Sequence, residues 1–328
     1  MEQDMQGKGV MFTDPDPDKA REFFRVKSRR MQKKITTVSE AVRSLVHDGD
    51  YLGIGGFGGV RIPTAVLHEI VRQKRKNLGF AGHTSTHDFQ ILAAGGCLGK
   101  VDAAYVVGLE ARGLSRVARK LFEEGRIQVS EWTNAALSWR LKAAAMGVPF
   151  LPARNMLGTD TFSHSAARRM TCPFTGKGLV LLPALYPDVA AIHVHRADVF
   201  GNCQIDGITV SDIDLAQATK RVIITTERLV STEVFRTDPA RCSIPYYVVD
   251  AVVEVPYGSY PGNMPYEYFS DEDHLQEWLE AEKDPGALRE FLDRNIYKCK
   301  DFNQYLEING GLDKVKTLRS EEHLLTRD

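Results

Sequence analysis

The 328 residues carry 42 lysines and arginines against 43 aspartates and glutamates, a formal net charge of -1, so no global positive field exists to gather nucleic acid. With 43% apolar and 26% charged residues the composition is that of a globular protein with a large core, which excludes global disorder. The length suits either two domains or one large open α/β sheet.

Met1 to Lys34 is charged, with Asp14, Asp16 and Asp18 ahead of Arg21, Arg25, Lys27, Arg29 and Arg30, and it holds no apolar signal core. These residues are expected to form an arm, packed on a partner or mobile, on a cytoplasmic chain. Phe23 and Phe24 alone provide no stacking platform, so the basic run is not read as a nucleic-acid site. Thr37 with Glu40 predicts a capping box for a helix through Val46. A strand over Tyr51 to Ile54 then enters the glycines of GGFGG, and Pro63 opens a second amphipathic helix. The alternation continues with strand Leu78 to Gly82, a helix near Phe89, strand Val101 to Val107, helix Leu114 to Glu124, strand Ile127 to Val129, helix Ala135 to Met146 and strand Pro149 to Leu151. Alternation of this kind predicts an α/β fold around an open, largely parallel sheet with helices on both faces.

Beyond residue 155, β-rich runs are expected at Leu179 to Leu182, Val189 to His195, Val222 to Thr226 and Tyr246 to Val255, with a turn at Asp198 to Asn202. The most apolar stretch, Gly178 to His195, is interrupted by Pro183, Pro187, Asp188 and His193, which denies it the run of ~20 apolar residues that spans a bilayer; no membrane partner is expected. From Asp271 onward the chain reads as charged helices and a tail on the outside. The division expected is thus an arm over 1–34, one α/β domain over 35–270 and a helical extension over 271–328. Five scattered cysteines without a CxxC pair indicate reduced, packed thiols rather than disulfides or a zinc knuckle.

Gly53, Gly55 and Gly58 satisfy GxGxxG after a strand, yet a dinucleotide fold would place an acidic residue at the end of the second strand, where this chain has Gly82 and His83. Two readings of the loop remain: a turn that reverses the chain, or a wall where missing β-carbons let backbone N–H groups approach a phosphate or thioester oxygen. In GHTSTHD, Gly82 to Asp88, the hydroxyls of Thr84, Ser85 and Thr86 are candidates to bind an acyl carboxylate, with helix capping as the alternative for Thr86 and Asp88. His83, His87, His193 and His195 are read as structural, since no third ligand defines a metal site. Arg61 is a candidate to grip a carboxylate or phosphate, with an interface position as the alternative.

The segment Asp48 to Pro63, DGDYLGIGGFGGVRIP, resembles the signature of the first subunit of class I coenzyme A transferases, with Arg61 most similar to the glutaconate CoA-transferase α subunit. LFEEGR at Leu121, AAAMGVPFLP at Ala143, DVAAIH at Asp188 and VDAVVEVPYG at Val249 extend the resemblance, in the same order, over about residues 35 to 260. The resemblance implies an acyl-CoA enzyme made of two different subunits, with coenzyme A as substrate and no permanently bound cofactor or metal. It also implies that the nucleophile is a glutamate of the second, β-type subunit, which forms a mixed anhydride and then a glutamyl-CoA thioester. No segment like the one that carries this glutamate occurs here. The expected binding wall is Gly55, Gly56, Phe57, Gly58, Gly59 and Arg61 with Thr84, Ser85 and Thr86. Glu110, placed after the third strand, is expected to contact substrate or lie at the surface rather than act as nucleophile. Ring-opening hydrolases and decarboxylases acting on acyl-CoA share the architecture and remain open, as does a non-catalytic acyl-CoA-binding subunit.

Overall fold

Strands covered on both faces need nearly continuous apolar runs, and the central runs of this chain meet that requirement. In the computed structural model, which describes residues 6–109 and 112–324, the strands are β1 Tyr51–Ile54, β2 Leu78–Gly82, β3 Leu98–Ala103, β4 Gln128–Glu131, β5 Phe150–Ala153, β6 Arg168–Thr171, β7 Gly178–Pro183, β8 Val189–Ala197, β9 Cys203–Gln204, β10 Arg221–Leu229 and β11 Ala251–Glu254. Seven of them form a parallel array in the order β11-β10-β8-β1-β2-β3-β4, with β9 added antiparallel on β8; β5, β7 and β6 make a separate antiparallel sheet.

Helices cover both faces. The apolar residues of Val38–Leu45, Thr64–Arg72 and His87–Ala94 pack on one side, and those of Asn134–Met146 and Asp212–Ala218 on the other, so the protein has three layers and two apolar clusters. Local chemistry sets the ends. Thr37 and Glu40 form the predicted capping box, and Gly147 ends the Asn134–Met146 helix in the left-handed conformation at φ 69°.

Several expectations are corrected. The third strand lies earlier than Val101 to Val107: it ends at Ala103, and Val106 is buried from a loop, so its apolar character reports packing rather than strand. The run Tyr246 to Val255 divides, because a 3-10 turn forms at Tyr246–Val248 and Asp250 turns its carboxylate to Val222 N and Lys27 Nζ before β11 begins. Residues 6–34 lie on their own chain. A helix forms over Pro17–Val26, and Lys27 Nζ also donates to the carbonyls of Lys220 and Val248. The C-terminal helices, capped by Asp271, Asp284 and Asp301, are not an outer tail: Trp278, Phe291, Ile296 and Tyr305 enter the same cluster as β1 and β2. No helix among the described residues is long and apolar enough to cross a membrane.

From β1 the chain builds outward to β4, then returns to lay β8 on the other side of β1. The carboxyl ends of β1 and β8 therefore flank the point where strand order reverses, where open α/β sheets bind ligands.

Candidate active site

The glycine loop leaves β1 at this reversal point, where Gly55 N donates to Ala191 O of β8 at 2.9 Å. Its glycines have separate reasons. A β-carbon on Gly55 would lie 2.5 Å from Asp212 Oδ1, and one on Gly56, at φ +90°, would lie 2.4 Å from Val60 O.

Following each N–H of the loop shows how it is held. Gly56 N donates to Asp212 Oδ1 at 2.8 Å, Phe57 N to Val60 O, Gly58 N to Thr84 O at 2.9 Å, Val60 N to Phe57 O and Arg61 N to Asn263 O. Among the described residues only Gly59 N, of the seven from Gly55 to Arg61, meets no acceptor. The expected wall of open donors is thus largely self-satisfied, and its free donor is at Gly59. Phe57 is exposed at the tip, with its ring 5.2 Å from that of His83.

Arg61, a sequence candidate to grip an anionic substrate, is engaged inside the protein by Ile208 and Asp212. It is fully buried, with φ 56°, and its Nη2 donates to Ile208 O at 2.7 Å and lies 2.6 Å from Asp212 Oδ2. Asp212 therefore ties the two ends of the loop together, one carboxylate oxygen on Gly56 and the other on Arg61. Nothing local announces this residue, which is 156 positions from Gly56.

The second expected segment closes over the first. Thr86 Oγ1 donates to Gly58 O at 2.8 Å and does not cap the following helix; Thr86 N instead donates to Asp88 Oδ1 at 2.7 Å. Burial raises the Asp88 carboxyl to about 6 despite that bond. Thr84, at φ 50°, and Ser85 keep buried hydroxyl oxygens without a well-directed partner, although Ser85 lies beside Asp88. Glu110 falls outside the described residues.

His193 and His195 have both ring nitrogens bonded, whereas His83 Nδ1 and His87 Nε2 are buried without a hydrogen-bond partner. His87 packs edge-on against Trp278 at 4.8 Å, and burial lowers it to about 3. His193 bonds Thr225 and Glu227 through its two nitrogens, while His195 bonds Pro265 O and accepts from Asp206 N. Among the described residues no three metal-ligating side chains come together.

The sequence model of the family described as coenzyme A transferase matches residues 35–255. The first subunit of glutaconate CoA-transferase from Acidaminococcus fermentans is 32% identical over 295 residues, covering 85% of this chain and 92% of that protein. The crystal structure of glutaconate coenzyme A-transferase from the same organism superposes with a TM-score of 0.81 at 29% identity, over 87% of this chain and 95% of the other. A crystal structure of the decarboxylase AibA/AibB, in a cysteine-to-serine variant, gives 0.72 at 30% identity over 80% and 98%. The cholesterol ring-cleaving hydrolase IpdA subunit of Rhodococcus jostii is 31% identical over 270 residues, 79% of this chain and 90% of that protein. With the glycine loop at the sheet's reversal point and a match over two thirds of its length, the chain belongs to the coenzyme A transferase family and is of the first-subunit type.

Proposed function

We propose that this chain is the α subunit of a heteromeric enzyme that moves coenzyme A between an acyl-CoA and a dicarboxylate. The observation that carries the reading is the loop Gly55 to Arg61, folded against β8 where strand order reverses, in a chain that resembles glutaconate CoA-transferase over nearly its whole fold. In this reading a glutamate of the β-type partner attacks the thioester carbonyl and expels CoA thiolate to give a mixed anhydride. The thiolate then attacks the glutamyl carbonyl and releases the acyl group as its carboxylate. An incoming dicarboxylate reverses both steps.

This chain contributes the wall rather than the nucleophile. Gly59 N–H and the Thr84 hydroxyl are the donors assigned to an anionic oxygen, while Ser85 stands beside Asp88 and Gly55 and Gly56 let the loop pack against Asp212 and Val60. Phe57 forms the exposed apolar edge, Thr86 and Arg61 hold the wall in shape, and Glu110 is assigned a role toward substrate rather than as nucleophile. Coenzyme A enters as substrate, and the complex acts in the cytoplasm.

The likeness to AibA/AibB and to the IpdA subunit supports a second reading, in which the same architecture serves acyl-CoA decarboxylation or ring opening. The partner decides between transfer and decarboxylation: a glutamate at its nucleophile position is required for transfer. The direct test expresses the chain alone and with its co-purifying partner, then follows CoA exchange between acyl-CoA and dicarboxylates. Exchange by the pair and none by the chain alone is expected; full exchange by the isolated chain would overturn the two-subunit reading.

A further inference from the structure

The C-terminal extension reaches the glycine loop through Arg112. Its guanidinium is gripped by Glu272, with Nε to Oε2 and Nη2 to Oε1 both at 2.6 Å, and Nη2 also lies 3.4 Å from the buried hydroxyl of Ser270. Ser270 in turn donates to Glu272 Oε1, so the carboxylate is itself oriented. This clamp sets the guanidinium over Gly59. A β-carbon on Gly59 would stand 3.2 Å from Nη1 and 3.6 Å from Nη2 of Arg112, and Gly59 is also the loop residue whose N–H has no acceptor. A side chain at 59 would thus press on the tip of Arg112, whereas the backbone conformation there is unrestrictive.

Two arms of the fork face Glu272, which leaves Nη1 with its two hydrogens next to an open backbone donor. A planar cation and an N–H at one spot match a carboxylate or an oxyanion, and arginine held from one side recognises such groups with direction as well as charge. We propose that Arg112 is the substrate-anchoring cation of this chain, holding an anionic oxygen of the dicarboxylate against Gly59, and that Ser270 and Glu272 of the C-terminal extension position it. This rests on the transferase reading and deepens it: the family match ends at residue 255, while the cation is aimed by residues 270 and 272.

The test uses the co-purified heteromer, glutaryl-CoA and ¹³C-labelled glutarate. Arg112→Ala is expected to lower kcat/KM for glutarate by tenfold or more, about 1.4 kcal/mol. The reversed pair Arg112→Glu with Glu272→Arg separates anchoring from bracing. A brace is restored by reversal; an anchor is not, so the double variant should leave exchange at least tenfold down. Full recovery of exchange, or an Arg112→Ala complex with unchanged kcat/KM, overturns the proposal. If the unsubstituted complex exchanges no label, the transferase reading fails by itself. Calorimetric binding of glutarate then judges Arg112 alone: a tenfold weaker fit in Arg112→Ala upholds the anchor, and equal affinity ends it.

Discussion

Two glycine-containing turns in this protein are held by an aspartate, and they are held in opposite ways. At Asp198 to Asn202 the turn supplies its own acceptor. Asp198 Oδ1 takes the N–H groups of Phe200, Gly201 and Asn202 at 2.9 to 3.0 Å, Oδ2 takes the Asn202 side chain, and Gly201 sits at φ +101°. At Gly55 to Arg61 the aspartate is Asp212, from a distant helix, and Thr84 and Asn263 complete the support. The first turn is closed and local; the second is assembled by the tertiary fold and keeps Gly59 N–H open under a guanidinium. Backbone donors in folded chains are nearly all paired, so the one left over at Gly59 sets the second turn apart.

Variants at the two aspartates sharpen this contrast. Asp212→Ala leaves Arg61 buried without a carboxylate, so it should cost about 3–5 kcal/mol in denaturant unfolding and remove exchange with it. Arg61→Ala should behave alike, losing stability first; a normal unfolding midpoint with weakened substrate use would restore the substrate-gripping role to Arg61.

Next in size is the carboxyl at Asp88, under the same loop. Its folded value, about 6, lies above the 3.8 of the unfolded chain, so the native state binds more protons between these values and stability falls as pH rises through that window. Asp88→Asn keeps an acceptor for Thr86 N and removes the titration. Its stability relative to the parent should grow from about pH 4 to about pH 6 and level off above, by up to about 3 kcal/mol. A constant difference across that range would mean the carboxyl titrates normally.

Asp198→Ala removes one charged acceptor from a local turn, which should cost about 1.5–3 kcal/mol with kcat/KM unchanged; a parallel loss of exchange would erase the distinction between the turns. The smallest stability effect belongs to Gly59→Ala. The added carbon meets only the tip of Arg112, so the unfolding midpoint should shift by under about 0.5 kcal/mol, while exchange falls because the approach to the open N–H is narrowed. Equal rates in this variant would show that the loop is not a binding wall.

Much of the fold is visible in composition and spacing, and the reason is local. The capping box at Thr37, the runs at Tyr51 and Leu78, and the Asp198 turn each carry their structural cause within a few residues. The third strand is displaced from its expected place because an apolar residue in a packed loop, Val106, has the same signature as one in a strand. The position of the glycine loop is legible through its resemblance and through the strand before it. Asp212, Asn263, Arg112 and Glu272 are not, because their roles arise where β1, β8 and the C-terminal helices converge, and no spacing along the chain encodes that meeting. Arg61 reads as functional from its residue type; only its burial shows that Asp212 has claimed it.

If this chain builds the binding wall while its partner performs the covalent step, only the partner can carry the intermediate. Intact mass spectrometry of both chains, after the heteromer is given acyl-CoA and no acceptor, tests that division directly. Conversion of the partner's carboxylate to a CoA thioester should raise the partner's mass by that of coenzyme A less one water and leave this chain unchanged. A CoA adduct on this chain would contradict the assignment, and would move the nucleophile from the partner to one of this chain's own carboxylates.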